Sequence, residues 1–148
     1  MVRAPHQIIH GPAAVARHLP ARHPLKPGRA NDAIQLLRDV GIVGPGAIEL
    51  QAPVRASDAD LIRVHDAAYI DVAQRLSCDP SNPEHLDASS RDAIAHGFSR
   101  DGDNPQYLEM ADAARHACGA VIQASRTVLD QKHAIAFVPS AGANHHAM

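Results

Sequence analysis

The sequence of 148 residues is poor in aromatic side chains, with no Trp, two Phe and two Tyr. A core without large rings depends on Ala, Val, Ile and Leu, so we expect close helix contacts lined by Ala. This composition suits a layered α/β protein better than an aromatic-rich barrel. With 45% hydrophobic and 20% charged residues, the chain has the balance of one soluble globular domain.

Long apolar runs and an excess of basic residues are also missing. No stretch approaches the roughly 20 apolar residues of a membrane-spanning helix. Residues 1–10 lack the apolar run of about 7–15 residues that marks a signal peptide. The formal net charge is −2, and no basic stripe is available to neutralise phosphates. The sequence therefore predicts a cytoplasmic protein that contacts neither nucleic acid nor membrane.

Cysteine is scarce and histidine is abundant. Cys78 and Cys118 stand apart without CxxC spacing, which argues against a disulfide framework or a zinc knuckle. The chain has eleven histidines. Those that stand singly in polar or loop-like contexts are interpreted as surface residues: His6, His10, His18, His85, His96, His116 and His133.

Apolar residues recur at helical spacing in three segments. The first spans roughly residues 29–40. The second follows Ser57, whose spacing to Asp60 is that of a capping box, and continues to Leu76 as one helix or as two broken near Asp66. The third spans about residues 108–131, with a predicted buried face of Met110, Ala114, Ala117, Val121, Ala124 and Val128.

Two segments are predicted as strands. One is a short run at residues 7–10. The other is the continuous apolar run 134–138, which is typical of a parallel strand covered on both faces. Between the second and third helical segments, residues 77–105 are rich in Ser, Asp, Asn, Pro and Gly, with a brief helical piece near 91–96. Irregular stretches of this length usually carry a function, so we expect a binding role there.

Adjacent histidines, His145 and His146, follow the second predicted strand. In open α/β sheets, ligands bind at the carboxyl ends of the strands. Because imidazole titrates near neutral pH, the pair can supply a general base and a neighbour that tunes it. A purification-tag remnant and a pair of surface residues are the alternative interpretations.

Four stretches of the chain match motifs of one enzyme family. They are the HPLKPGR segment at 23–29, the helical segment LIRVHDAAYI at 61–70, the GDNP loop at 102–105, and the GANHHAM segment at 142–148. In this order they resemble the zinc-dependent deacetylases of the histone deacetylase and acetoin utilisation protein family. The resemblance implies an α/β fold, namely the N-terminal part of an arginase/deacetylase-like parallel sheet with helices on both faces.

The resemblance also implies roles for individual residues. His146 would act as general base and then general acid, with His145 as its electrostatic and hydrogen-bonding companion. Asp103 would hold the substrate backbone at the rim of the site, and Arg29 would lie beside an internal channel that releases acetate. On the residues alone, Asp103 is equally a turn former, and Arg29 is equally a helix-start residue paired with a carboxylate.

The implied reaction is hydrolysis of an N-acetyl amide, commonly acetyl-lysine, with Zn²⁺ as cofactor. In the family the metal ligands and an oxyanion-stabilising Tyr follow the histidine pair. We therefore expect residues 1–148 to be a partial deacetylase domain that has no metal ligands, binds zinc weakly and is inactive by itself. A non-catalytic module that binds an acetylated ligand or a partner, and a gene fragment without independent function, are the alternatives. Self-association through an exposed sheet edge is a further expectation.

Overall fold

The computed structural model describes residues 6–11, 26, 28–99, 104–131 and 134–141. Within these ranges the chain forms three strands, β1 (His6–Ile9), β2 (Leu50–Gln51) and β3 (Ile135–Phe137). The helices in the same ranges are α1 (Arg29–Asp39), α2 (Asp58–Leu61), α3 (Ala67–Leu76), α4 (Arg91–Ala95) and α5 (Met110–Asp130).

The strands form a parallel sheet in the order β2-β1-β3. Ile8 of β1 pairs with Leu50 on one side and with Phe137 on the other. Parallel strands need long crossover connections, and α1 lies within the first while α2 to α5 lie within the second. Both predicted strands are confirmed. The sequence did not reveal β2, because two residues are too few for a periodic pattern.

Consecutive residues of β1 anchor helices on opposite faces of the sheet, since alternate side chains of a strand point to opposite sides. Ile8 packs with Ile34 of α1 and with Val43. Ile9 packs with Ala120 and Ala124 of α5. The predicted helices on both faces are therefore confirmed, and the contact with α5 is lined by Ala as the composition indicated.

A second apolar core lies between α3, α4 and α5. Its buried residues are held by an aromatic stack in which the rings of Tyr69 and Phe98 lie with centroids 5.4 Å apart. The cluster packs residues 77–99 of the irregular segment against the helices, and its buried members are Val72, Leu76, Ala88, Ala93, Phe98 and Met110.

The helix boundaries agree with the sequence pattern where local chemistry sets them. α1 begins at Arg29 as predicted. Ser57 and Asp60 form the capping box of α2, and Asp66 is the N-cap of α3. Of the two alternatives for the 57–76 segment, the structure therefore selects two helices.

The buried face of α5 differs in part from the predicted one. Ala114, Val121 and Val128 are exposed, and the helix buries other residues in their place, namely Ala113, Arg115, Gly119 and Ala120. The difference arises because α5 packs against the sheet, the α3 side and the segment 54–56 together. Because of these three contacts, the buried face of α5 is wider and points in a different direction than the spacing of its apolar residues predicts.

The sheet face at β3 is covered on one side only, within the part of the chain that the structure describes. Ala136 and Val138 pack against Ile9 and α5. In contrast, Ile135 is 62% and Phe137 is 46% exposed. The prediction of a strand covered on both faces is therefore wrong for these residues. Among the described helices, none is both long and apolar enough to cross a membrane.

Candidate functional site

A buried histidine lies where the carboxyl ends of β1 and β3 come together. His10 follows β1 and is only 9% exposed. Its Nε2 lies 2.8 Å from Oδ1 of Asn31, in the first turn of α1. Its Nδ1 lies 3.2 Å from Oγ of Ser140, which follows β3. One imidazole thus connects three segments that are far apart in the sequence.

The partners of His10 define its tautomer. The amide oxygen of Asn31 only accepts, so Nε2 of the imidazole is the donor. In the neutral ring Nδ1 is then an acceptor, and the hydroxyl of Ser140 donates to it. The backbone N–H of His10 donates to the carbonyl of Gln51 at 3.0 Å, which extends the pairing of β1 with β2 by one residue. The ring is therefore held at both nitrogens and through its backbone.

The interpretation of His10 as a surface residue is wrong. A buried imidazole is costly unless its nitrogens are hydrogen-bonded, and Asn31 and Ser140 meet that need. The sequence did contain one signal. His10 directly follows the apolar pair Ile8-Ile9 at the end of a strand, which is where α/β sheets place their ligand-binding residues.

An open cavity of about 460 Å³ borders this histidine between the sheet and α1. Asn31, Gln35 and Arg38 of α1 line one wall, and His10 and Leu50 line another. The mixture of amide, guanidinium and imidazole groups makes this cavity polar. Water and small polar solutes can therefore approach His10 from the side of α1.

A second cavity, of about 190 Å³, is mostly apolar and lies between α3, α5, Phe98 and residues 104–107. Tyr69, Phe98 and Met110 line it, together with the side chain of Asn104. Burial raises the pKa of the Tyr69 hydroxyl, and a hydrogen bond with Asn104 partly offsets that rise. Asn104, which lines this cavity, directly follows Asp103 in the chain.

Two groups on α5 border the same apolar cavity. Arg115 is 4% exposed, and its Nη1 lies 2.5 Å from Oδ1 of Asp58. A buried guanidinium without a carboxylate would be strongly destabilising, so this pair ties α5 to the start of α2. Burial also raises the pKa of the Cys118 thiol, which favours the neutral, less nucleophilic form.

The predicted site residues are only partly within the described ranges. Arg29 is the first residue of α1 and is exposed, two positions before Asn31. Asp103, His145 and His146 lie outside the described residues. The roles of all four stay predictions.

A zinc site needs three or four converging side chains of His, Cys, Asp or Glu. Across residues 6–11, 26, 28–99, 104–131 and 134–141, no such group of three or more comes together. These residues do not fit the metal that the family resemblance implies.

The comparison with known families decides the identity. The sequence model described as the histone deacetylase domain matches residues 23–148, which is most of the chain and includes all four motif segments. The chain belongs to the histone deacetylase family. No solved structure matches it significantly. The parallel sheet with helices on both faces agrees with the deacetylase-like fold predicted for this histone deacetylase family member.

Proposed function

We propose that this chain carries the proton-transfer residues of a zinc-dependent deacetylase that hydrolyses N-acetyl-lysine or a similar N-acetyl amide. The observation that carries the proposal is the family match over residues 23–148. The topology supports it, because β3 leads the chain to the carboxyl edge of the sheet just before the histidine pair in sequence.

In the proposed reaction, His146 removes a proton from the attacking water and later returns it to the leaving amine. A C–O bond forms at the acetyl carbon, the amide C–N bond breaks, and acetate and a free amine are the products. Such proton transfer contributes about 10²- to 10⁴-fold in rate. His145 supports the charge of its neighbour. The proposed cofactor is Zn²⁺, and its ligands would lie outside the described residues.

Asp103 and Arg29 have binding roles in the proposal. Asp103 holds the substrate backbone at the rim, and the hydrogen bond between Tyr69 and Asn104 supports this role by anchoring the next residue of the loop. Arg29 lies beside the acetate channel. Its position at the start of α1, the helix that borders the polar cavity, favours that assignment.

The test is steady-state kinetics on an acetyl-lysine peptide, with the active enzyme that contains this chain. We expect His146→Ala to lower kcat by about 10²- to 10⁴-fold, and Asp103→Ala mainly to raise KM, because a rim carboxylate acts largely in binding. His116→Ala, on α5 and outside the proposed site, is the matched control and should keep normal kinetics. Near-normal turnover of the His146→Ala enzyme would remove the general-base role.

A non-catalytic binding module is the second candidate. The exposed side chains of Ile135 and Phe137 favour it, because an apolar sheet face is a surface for association. Saturable binding of an acetyl-lysine peptide without turnover, by the protein that contains this chain, would support the module. The cytoplasmic location and the closer relation to acetoin utilisation proteins stay predictions.

A further inference from the structure

We infer that His10 is a positioning residue for the histidine pair: its hydrogen bond to Ser140 holds the exit of β3, from which the chain continues to His145 and His146. The inference rests on the proposed function, since it gives His10 a role in that reaction. His10 is not assigned contact with substrate.

Ser140 is held at the exit of β3 by its side chain. The pairing of β3 with β1 ends at Phe137, opposite Ile8. Ser140 therefore lies beyond the last paired residue of the strand and needs another tie to the sheet. The hydrogen bond from its hydroxyl to Nδ1 of His10, at 3.2 Å, provides that tie.

The imidazole of His10 is itself held at both ring nitrogens. A ring with one partner can still tilt about its side-chain bonds, whereas a ring with partners at both nitrogens has a defined orientation. Asn31 supplies the second partner at 2.8 Å, and His10 is only 9% exposed. The two hydrogen bonds of the ring thereby fix the position of the exit of β3 relative to α1.

The rate of the proposed reaction depends on where the general base lies. A general base must lie within hydrogen-bond reach of the proton that it abstracts, and a misplacement of about 1 Å can cost roughly 10²-fold in rate. Loss of the Ser140 tie should therefore lower kcat, whereas KM should change little because substrate contacts are unaltered.

Two conservative variants separate the two hydrogen bonds of the ring. The amide of Asn overlaps the Nδ1 position of histidine, so His10→Asn can still bond to Ser140. The amide of the longer Gln side chain overlaps the Nε2 position. His10→Gln can therefore keep the hydrogen bond to Asn31 but loses the one to Ser140. In the active enzyme we expect His10→Asn to keep kcat within about threefold, and His10→Gln and Ser140→Ala each to lower it by about tenfold or more.

The double variant His10→Gln/Ser140→Ala should show no further loss, because both changes remove the same contact. Normal kcat for Ser140→Ala, or losses of kcat that simply follow the melting temperature through all variants, would overturn the inference. An inactive wild-type enzyme would instead reject the proposed function, so the two failures are distinguishable.

The hydrogen bond itself is tested without any activity, by ¹⁵N NMR of the His10 ring in the full chain. We expect the neutral form of the ring to carry its proton at Nε2, and an Nδ1 signal that moves in Ser140→Ala. An Nδ1 signal that is the same in both proteins would overturn the link between His10 and Ser140, whatever reaction the enzyme performs.

Discussion

At the scale of single residues, short hydroxyl side chains lower the pKa of exposed carboxyl groups along this chain. Asp60 accepts hydrogen bonds from the hydroxyl and the backbone N–H of Ser57, at 2.6 and 3.0 Å. These two bonds hold the pKa of Asp60 below its ordinary value of 3.8. Ser81 holds the pKa of Asp79 below the same value in the same way. In both cases the charged carboxylate therefore stabilises the fold more than the protonated carboxyl group does.

The first prediction concerns the pH dependence of the capping box. A depressed pKa in the folded state stabilises the protein above the ordinary value, and this contribution is lost as the pH falls through the pKa of the folded form. Ser57→Ala removes the side-chain bond, which is the larger cause of the shift, so the pKa of Asp60 should rise toward 3.8. Carboxyl ¹³C NMR titration measures this directly.

Asp79 is the internal control for this titration, because its partner Ser81 is unchanged. Its pKa should be equal in the wild-type and Ser57→Ala proteins. An Asp60 titration that does not move in the variant would contradict the assignment of the capping hydrogen bond.

At the scale of elements, α5 approaches the segment 54–56 so closely that one position must lack a side chain. The N–H of Ala56 donates to the carbonyl of Arg115 at 3.0 Å, and the N–H of Val54 donates to Oε1 of Gln123 at 3.2 Å. Gly119 lies one helical turn from Arg115 and one helical turn from Gln123. A Cβ at Gly119 would overlap the carbonyl oxygen of Val54. The backbone contact therefore depends on glycine.

The second prediction is that Gly119→Ala destabilises the protein although alanine is the better helix former. The helix propensity favours alanine by about 1 kcal/mol, but overlap with a backbone carbonyl should cost more than this, with a net loss of about 1–3 kcal/mol. Urea denaturation measures the change. Ser125→Ala, at an exposed position of the same helix, should be neutral or slightly stabilising. Equal or greater stability of Gly119→Ala would show that α5 can move away from Val54.

At the scale of the whole molecule, β3 combines an edge position with an uncovered apolar face. The strand order places it beside β1 alone among the described strands, and Ile135 and Phe137 are exposed on the side away from α5. An uncovered edge offers unpaired backbone groups to a second chain, and the exposed side chains add an apolar contact. Both features favour association of the 148-residue chain with itself.

The third prediction is that the purified 148-residue chain self-associates and that Ile135→Lys weakens this association. A charged side chain on the exposed face of an edge strand opposes pairing. Ile94→Lys on α4 is the matched control, because Ile94 and Ile135 are both 62% exposed. Sedimentation velocity over a range of concentrations measures the effect. A monodisperse monomer with a sharp, cooperative melt would contradict the prediction and favour the independent binding module.

Features that depend on neighbouring residues could be predicted from the order of the amino acids. The capping box of Ser57 and Asp60 and the apolar run of β3 are set by contacts within a few positions, so spacing and residue type predict them. For the segment that follows Ser57, spacing allows both one helix and a break near Asp66, and only the structure selects the break. The family motifs belong to the same class, since each is a short local pattern, and the family match confirms the identity that they indicated.

Features that depend on distant partners are visible only in the folded chain. Asn31 and Ser140 lie 21 and 130 positions from His10, and no local pattern reveals that they meet. For the same reason, the sequence pattern did not predict the burial of Arg115 and Gly119 on α5 or the pairing of β2. The crossover connections of a parallel sheet bring their partners near. Hydrogen bonding and packing at these residues therefore depend on how the sheet and the helices pack together.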